Sequence, residues 1–114
     1  MFWGPNGMDA DFSEIVLSKK NILDFLEQTE GAYIIRFWAP WCASCRINEQ
    51  VIKQVLSETK GSYKAYKINV DREPELANSM SVKYLPEMIV FDHQGIENRL
   101  TGEVNQDTVL NLLD

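Results

Sequence analysis

Apolar and polar residues follow one another along this chain in patterns that predict strands alternating with helices. A short run from Phe12 to Leu17 (FSEIVL) indicates an edge strand. A helix follows it, for which Ser18 is a suitable N-terminal cap and Gly31 a suitable end. The apolar residues that fall at helical spacing within this helix are Ile22, Leu23, Phe25 and Leu26.

The next segments predict a strand, a long helix and a second strand. Residues Ala32 to Trp38 (AYIIRFW) are mostly apolar, as is typical of a strand buried on both faces, with Arg36 as the exception. The helix runs to about Glu58, and the second strand covers Tyr63 to Val70. A strand, a helix and a strand in this order make the two strands parallel, with a right-handed crossover. The helix residues expected to face the core are Ile47, Val51, Ile52, Val55 and Leu56.

The last third of the chain predicts a short helix, a hairpin and a closing helix. The short helix covers Pro74 to Ser79. Strands at Met88 to Phe91 and Ile96 to Thr101 flank a turn at residues 92–95 and form an antiparallel hairpin. Residues Asn105 to Leu113 form an amphipathic helix, so we expect an α/β domain with helices on both faces of a mixed sheet. The closing helix offers for packing Val109, Leu110, Leu112 and Leu113.

The composition is that of one ordinary globular domain. With 114 residues, of which 45% are hydrophobic and 25% charged, the chain can bury a core without a metal or a structural disulfide. Its two cysteines therefore need another explanation. A net charge of −6 argues against a nucleic-acid binder, which needs clustered Lys and Arg. No apolar run approaches the roughly 20 residues of a membrane span.

Residues 1–11 precede the predicted domain, which covers residues 12–114. The stretch from Met1 to Gly7 lacks the basic start and the apolar segment of a signal peptide, and its Gly and Pro content indicates a flexible arm. Two cysteines fit a reducing compartment, so we expect a cytoplasmic protein. If a leader or an anchor was removed, the protein is extracytoplasmic instead.

The two cysteines stand where the buried central strand meets the long helix, in the order Cys42-Ala43-Ser44-Cys45. A thiolate at a helix N-terminus is stabilised by unpaired backbone N–H groups and by the helix dipole. Cys42 can therefore attack a substrate disulfide, and Cys45, one turn deeper, can resolve the resulting mixed disulfide. The motif predicts thiol–disulfide exchange.

Two cysteines in this spacing have two other interpretations. A C-x-x-C pair is half of a structural zinc site, but the remaining ligands are missing, since the one histidine, His93, falls in a predicted turn. We therefore expect no metal. The other alternative is a pair of incidental cysteines, which the surrounding sequence disfavours.

Several segments beyond the cysteines resemble the thioredoxin family, for which C-x-x-C beside a βαβ unit is typical. Residues Phe37 to Cys42 (FWAPWC) resemble the family signature up to the nucleophile, and Lys67 to Asp71 (KINVD) resemble its third strand. Leu85 and Pro86 fall where the family carries a cis-proline facing the dithiol. Gly102 falls where it carries a glycine of the substrate groove.

The resemblance implies a thioredoxin fold, a central mixed sheet of five strands in the order 1-3-2-4-5 flanked by four helices. It implies Cys42 as the nucleophile and Cys45 as the resolving thiol, with no cofactor beyond their redox-active disulfide. The backbone of Leu85 would pair with a substrate segment as an added strand. The substrate groove would consist of Trp41, Leu85, Pro86 and Gly102.

The function implied by this resemblance is that of a monomeric enzyme that reduces protein disulfides. Its electrons would come from a partner reductase or from a small thiol. One alternative is a more oxidising or specialised disulfide exchange enzyme. Another is a non-catalytic binding module that uses the groove around Pro86, although the presence of both cysteines and of Trp41 favours an enzyme.

Two charged residues depart from the family pattern. Arg36 stands where the family places a buried Asp, and arginine cannot act as a general base. Glu87 follows the proline, where Thr is common in the family. On the implied sheet order the two lie on neighbouring strands, so we expect them to form an ion pair beneath the dithiol, with Lys67 close by. In the alternative, Arg36 reaches outward and Glu87 is solvated.

Other departures from the family pattern affect the reduction potential of the dithiol and the shape of the substrate groove. Ala43 and Ser44 replace the family's Gly-Pro, which resembles the more oxidising relatives. Arg36 near the sulfurs would act in the same direction by stabilising thiolate, and Glu87 would act in the opposite direction, so the sequence does not predict the direction of the net effect on the potential. Gln50 replaces a helix-kinking proline, so we expect a straighter helix. Glu103 adds a charge to the groove rim.

Overall fold

Residues 13–113, described in a computed structural model, form one five-stranded sheet with four helices packed on it. The predicted N-terminal arm and Phe12 lie outside the described residues, as does the side chain of Leu26. The strands are β1 (Ile15–Val16), β2 (Tyr33–Trp38), β3 (Lys64–Asn69), β4 (Glu87–Phe91) and β5 (Glu97–Thr101). The helices are α1 (Ile22–Gln28), α2 (Ala43–Glu58), α3 (Pro74–Ser79) and α4 (Gln106–Leu113).

The order of the strands is β1-β3-β2-β4-β5, which confirms the predicted topology. β1 and β2 each pair with β3 in parallel, whereas β4 runs antiparallel to both β2 and β5. The sheet is therefore mixed, with β2 at its centre. None of the helices within residues 13–113 is long and apolar enough to cross a membrane.

The central strand β2 is buried on both faces because helices cover the sheet from both sides. Ile34 packs with residues of α2 and α4, while Ile35 and Phe37 pack on the opposite face with Phe25 of α1. Each fully buried aliphatic side chain contributes about 1.5–3 kcal/mol of hydrophobic stabilisation. Apolar side chains on both faces thus hold β2 in place. The turn between β2 and α2 is fixed as a result.

The core-facing stripe of α2 differs from the prediction at one position. Ile47 is exposed, while Asn48 is completely buried together with Ile52 and Val55. Successive helical residues are rotated by about 100°, so a stripe centred on Asn48 turns Ile47 away from the sheet. The prediction was wrong there because it assigned the buried face from apolar residues alone.

Helix α1 is shorter than predicted at both ends. It begins at Ile22, whose N–H donates to the Ser18 carbonyl oxygen (3.0 Å), and Asn21 rather than Ser18 holds the N-cap position. It ends at Gln28, before Gly31, because the backbone is already extended at Thr29. Leu23, one of the apolar residues at helical spacing, lies on the outer face of α1 and is exposed.

Candidate active site

Cys42 and Cys45 are joined by a disulfide at the start of α2, with their Cα atoms 5.3 Å apart. Cys42 is the N-cap residue, in an extended conformation, and Cys45 lies in the first helical turn. The Cys42 N–H donates to the Ala39 carbonyl oxygen (3.1 Å), which closes the turn between β2 and the helix. Both cysteines are buried, so the buried end of β2 positions the sulfurs at the helix N-terminus.

Trp41 stands beside the disulfide and is 69% exposed. Its indole N–H donates to the carboxylate of Asp71, at 3.3 and 3.1 Å from the two oxygens. The backbone of Asp71 is itself fixed, because its N–H donates to Oδ1 of Asn69 at the end of β3 (2.9 Å). The exposed ring is therefore anchored at its polar edge. Nothing in the sequence beyond its place in the KINVD segment indicates this contact of Asp71.

The Leu85–Pro86 peptide bond is cis and directly precedes β4. Leu85 packs against the apolar cluster that contains both cysteines. The Pro86 carbonyl oxygen accepts the N–H of Gly102 at 2.8 Å. The loops that carry Pro86 and Gly102 therefore meet at the end of the sheet that also carries the disulfide.

Gly102 has a positive φ of 89°, a backbone conformation that favours glycine. A Cβ at this position would meet nothing within 4 Å, so the requirement is one of backbone conformation rather than of space. Glu103 beside it is exposed, as expected for a charge on the rim.

Asn48 of α2 is a site residue that the sequence interpretation missed. Its side-chain Nδ2 donates to the Gly102 carbonyl oxygen (3.1 Å), and its Oδ1 accepts the Val104 N–H (3.0 Å). The side chain is fully buried. The available signal was a polar residue on the apolar stripe of a helix, three positions after Cys45.

A shallow groove of about 180 Å³ lies on the α3 side of Trp41. Tyr84 on this groove is as exposed as Trp41, and the sequence interpretation did not single it out. Of the four predicted groove residues, Trp41 and Leu85 line it, whereas Pro86 and Gly102 do not. Its apolar lining consists mainly of Trp41, Val70, Val82, Tyr84 and Leu85.

Arg36 is buried beneath the disulfide, but its partner is Glu14 rather than the predicted Glu87. Nε and Nη2 of Arg36 donate to the two Glu14 carboxylate oxygens at 2.7 and 2.9 Å. Nη1 donates to the Cys45 carbonyl oxygen at 3.4 Å. A more distant carboxylate, that of Glu49, lies 3.9 Å from Nη2.

The predicted Arg36–Glu87 pair was wrong because of the strand register. Arg36 faces Met88 across β2 and β4, and Glu87 faces Phe37. Neighbouring residues of a strand point to opposite faces, so the two charges lie on opposite sides of the sheet. The alternative also fails, since Arg36 and Glu87 are both buried.

Glu87 forms its ion pair with Arg99 of the neighbouring strand β5. The Arg99 guanidinium also donates from Nη2 to the Met80 carbonyl oxygen at 2.8 Å, which fixes its orientation. Lys67 does not join Glu87: it stands in register with Arg36, and its ammonium lies 5.6 Å from the centre of the Trp38 ring. Such a contact contributes about 0.5–1 kcal/mol at an exposed site.

A second pocket, of about 250 Å³, opens beside the disulfide on the α2 side. Arg36, Glu49 and both cysteines line this pocket. Ala43 and Ser44 are not among its lining residues; Ala43 is exposed and Ser44 is half-buried. The pocket lining is completed by Trp38, Ala39, Pro40 and Arg46.

Within residues 13–113, no group of three or more His, Cys, Asp and Glu side chains could hold a metal ion. His93 lies on the exposed turn between β4 and β5, with its ring centre 5.9 Å from that of Tyr63. The chemistry that the described site can perform is that of its dithiol, Cys42 and Cys45.

Comparisons with known proteins agree with this geometry. The chain is 29% identical over 105 residues to thioredoxin M4 of Arabidopsis thaliana chloroplasts, covering 92% of this chain and 49% of that protein. It is 27% identical over 110 residues to a thioredoxin of Synechocystis, covering 96% and 94% of the two chains. The solved structure of chloroplastic thioredoxin z superposes with a TM-score of 0.80 at 22% identity, covering 89% of this chain and 91% of that one, which shows the shared fold.

The chain spans about half the length of several chloroplast relatives that it matches, such as the M4 protein. The model of the thioredoxin family, however, matches residues 13–114, which is nearly the whole chain. This chain belongs to the thioredoxin family.

Proposed function

We propose that this protein is a thiol–disulfide oxidoreductase that reduces protein disulfides through Cys42 and Cys45. The observation that carries the proposal is the disulfide between these residues at the N-terminus of α2. Both cysteines lie next to Leu85 and the exposed Trp41, which present an apolar surface beside them. The redox-active disulfide is the only cofactor that the reaction needs.

The reaction begins with the reduced protein. The Cys42 thiolate, stabilised by the N-terminus of α2, attacks one sulfur of a substrate disulfide. The substrate S–S bond breaks, one substrate sulfur leaves as a thiolate that takes up a proton, and a mixed disulfide with Cys42 forms. Two cysteines three residues apart are close enough for the next step, since their Cα atoms are 5.3 Å apart.

Cys45 completes the exchange. Its thiol loses a proton, and the thiolate attacks Cys42 Sγ and displaces the second substrate sulfur. Two electrons have then passed from the protein to the substrate, and Cys42 and Cys45 are left as the disulfide seen in the structure. Arg36 cannot accept the Cys45 proton, so water or another group takes it; the Glu49 carboxylate lines the same 250 Å³ pocket as Cys45.

The docking surface that we propose for the substrate is the face formed by Trp41, Leu85, Pro86 and Gly102, extended by Tyr84. Trp41 and Tyr84 are large, exposed aromatic residues, which are frequent anchors of protein contacts. An extended substrate segment would pair with the backbone of Leu85 as an added strand.

The partners and the compartment belong to the same proposal. We propose a monomer that receives electrons from a reductase or a small thiol, in a compartment where the dithiol is kept reduced. The two relatives described above come from a chloroplast and from a cyanobacterium. We retain the cytoplasm as the proposed location, and size-exclusion chromatography at several concentrations tests the monomer.

The decisive experiment is the reduction potential of the Cys42–Cys45 pair, measured by tryptophan fluorescence in thiol–disulfide buffers. A value near about −270 mV is expected of a reductase. A value between about −180 and −120 mV would instead identify an oxidant or an isomerase. If no reversible disulfide forms, the protein is a binding module and the proposed enzyme activity is wrong.

Single cysteine variants separate the two thiols. Cys45→Ser should accumulate a mixed disulfide with a reporter protein, because attack by Cys42 proceeds and resolution does not. Cys42→Ser, its matched control, should form no such adduct. Equal adduct from both variants would contradict the assigned roles.

A further inference from the structure

We propose that Glu14 is a positioning residue of the redox site, which holds and neutralises the Arg36 guanidinium beneath Cys45. Through this charge balance Glu14 sets the stability of the dithiol relative to the disulfide. The inference rests on the proposed function, because it concerns the potential of the same pair of cysteines.

The contact between the two side chains has the geometry of a strong ion pair. Two guanidinium nitrogens of Arg36 donate to the two carboxylate oxygens of Glu14, at 2.7 and 2.9 Å. The side chains are only 2% and 5% exposed. Two parallel hydrogen bonds of this kind fix orientation as well as charge, and burial reduces solvent screening.

Glu14 reaches Arg36 from the edge of the sheet. It directly precedes β1, whose residues Ile15 and Val16 pair with β3 in register with Tyr66 and Lys67. The backbone N–H of Leu17 adds a hydrogen bond to the Lys67 carbonyl oxygen at 2.9 Å. This pairing holds Glu14, the residue before β1, at the edge of the sheet from which its side chain reaches Arg36.

Arg36 connects the pair to the cysteines. Its Nη1 donates to the Cys45 carbonyl oxygen at 3.4 Å, and Arg36, Cys42 and Cys45 line the same 250 Å³ pocket. A positive charge at this position stabilises a thiolate. Stabilising the reduced form makes a disulfide more oxidising, so an uncompensated Arg36 would raise the potential.

The other charged groups around the dithiol are less well placed to supply the compensation. Glu49 on α2 is 3.9 Å from Arg36, and its side chain is 33% exposed. Arg46 on α2, which lines the pocket, and Lys67 on β3, which lies over Trp38, are cations, so neither can offset the charge of Arg36. Solvent screens the interactions of exposed charges and so weakens them. Glu14 is the carboxylate that is both buried and paired through two hydrogen bonds.

The test compares the equilibrium with glutathione in the full chain and in two single variants. Glu14→Gln removes the negative charge, and we expect the equilibrium constant for reduction to rise about tenfold, which is about 30 mV for this two-electron couple. Arg36→Met leaves the Glu14 carboxylate uncompensated and should lower the constant. Glu49→Gln is the matched control for a carboxylate near Arg36, with a shift in the same direction as Glu14→Gln but smaller.

Shifts of the equilibrium constant in opposite directions in Glu14→Gln and Arg36→Met distinguish an effect of charge from a structural effect. A variant that merely loosens the site would move the potential in the same direction whichever partner is removed. The thiolate fraction, followed by ultraviolet absorbance in the reduced proteins, should rise in Glu14→Gln and fall in Arg36→Met. Shifts of the same sign in both variants, or no shift in either, overturn the inference.

A double variant serves where a single variant does not fold, as judged by circular dichroism. Glu14→Leu combined with Arg36→Met replaces a neutral pair with another neutral pair, and such replacements of buried ion pairs are often tolerated. Its equilibrium constant should stay within about twofold of the unmodified protein, an energy change below about 0.5 kcal/mol. A tenfold departure would contradict the inference. Absence of a reversible disulfide in the unmodified protein would instead refute the proposed function.

Discussion

The side-chain amide of Asn48 on α2 donates to the carbonyl oxygen of Gly102, 3.1 Å away. The same side chain accepts the N–H of Val104, so one buried amide holds both ends of residues 102–104. The Gly102 N–H in turn donates to the Pro86 carbonyl oxygen. The helix that begins at the cysteines thus supports the loop on which the proposed substrate groove depends.

Loss of the Asn48 amide should therefore affect both stability and turnover. We expect Asn48→Ala to lower the free energy of unfolding by about 1–3 kcal/mol, because it leaves a partly buried donor and acceptor without partners. Chemical denaturation measures this loss. Gln50→Ala, on the exposed side of the same helix, is the control and should stay within about 0.5 kcal/mol.

The activity of Asn48→Ala provides a second readout. The rate constant kcat/KM for a protein disulfide should fall more than that for a small disulfide, since the loop carries part of the groove and not the thiols. An equal fall for both substrates would contradict a role of Asn48 in supporting the groove.

The ion pair between Glu87 and Arg99 predicts an asymmetric response to mutation. The Glu87 side chain is only 4% exposed, whereas Arg99 is 31% exposed and can turn toward water. Arg99→Met leaves a buried carboxylate and should cost about 3 kcal/mol of unfolding free energy. Glu87→Gln should cost less, because the remaining guanidinium is the more solvated partner. Equal losses, measured by urea denaturation, would count against this interpretation.

The strand and helix pattern could be predicted because the central strand is a mostly apolar run, whereas the helices carry apolar residues at helical spacing. Residues such as Ile34, Ile35 and Phe37 come from an unbroken apolar run, which belongs to a strand buried on both faces. The resemblance to the family then supplied the sheet order. The apolar pattern and the family resemblance each depend on many residues together. A single exception such as Ile47 therefore did not change the predicted elements.

The partners of buried polar residues could not be predicted in the same way, since they depend on register. A shift of one residue in the register of two paired strands moves a side chain to the other face of the sheet. Arg36 faces Met88 and Glu87 faces Phe37, so Arg36 and Glu87 lie on opposite faces although their strands are neighbours. Glu14 lies in the run that predicted an edge strand, but that run does not indicate which residue its side chain contacts, and the strand itself has only two residues. Asn48 was missed because a polar residue on a helix is ordinarily assigned to the exposed face.

An exposed ion pair gives the stability a small pH dependence. The Lys19 ammonium lies 2.6 Å from Glu75, and this hydrogen bond lowers the pKa of the Glu75 carboxyl below its usual 4.5. A carboxyl whose folded pKa is lowered stabilises the fold above its unfolded value, and the contribution is lost as the pH falls through the folded pKa. Its partner behaves oppositely: the pKa of Lys19 is raised above 10.5, so its contribution is lost as the pH rises through that higher value.

Glu75→Gln should accordingly flatten the acid limb of the stability curve. The expected difference from the unmodified protein is small, appears above pH 4.5 and disappears below it, because both side chains are exposed. Thermal unfolding at a series of pH values measures it. High salt should abolish the difference through screening, and a difference that survives in salt would mean that Glu75 acts by another contact.

The hydrogen bond from the Trp41 indole to Asp71 predicts a specific effect on substrate binding. Trp41 is 69% exposed, so Asp71 restrains a ring that is otherwise free on the surface. Removing this restraint by Asp71→Ala increases the conformational entropy that the ring loses on docking. We expect KM for a protein disulfide to rise by no more than about fivefold, the equivalent of one exposed hydrogen bond of about 1 kcal/mol, with kcat unchanged. Asp71→Asn keeps an oxygen acceptor and should restore part of the affinity, whereas a fall in kcat in either variant would place Asp71 in the chemistry of the dithiol.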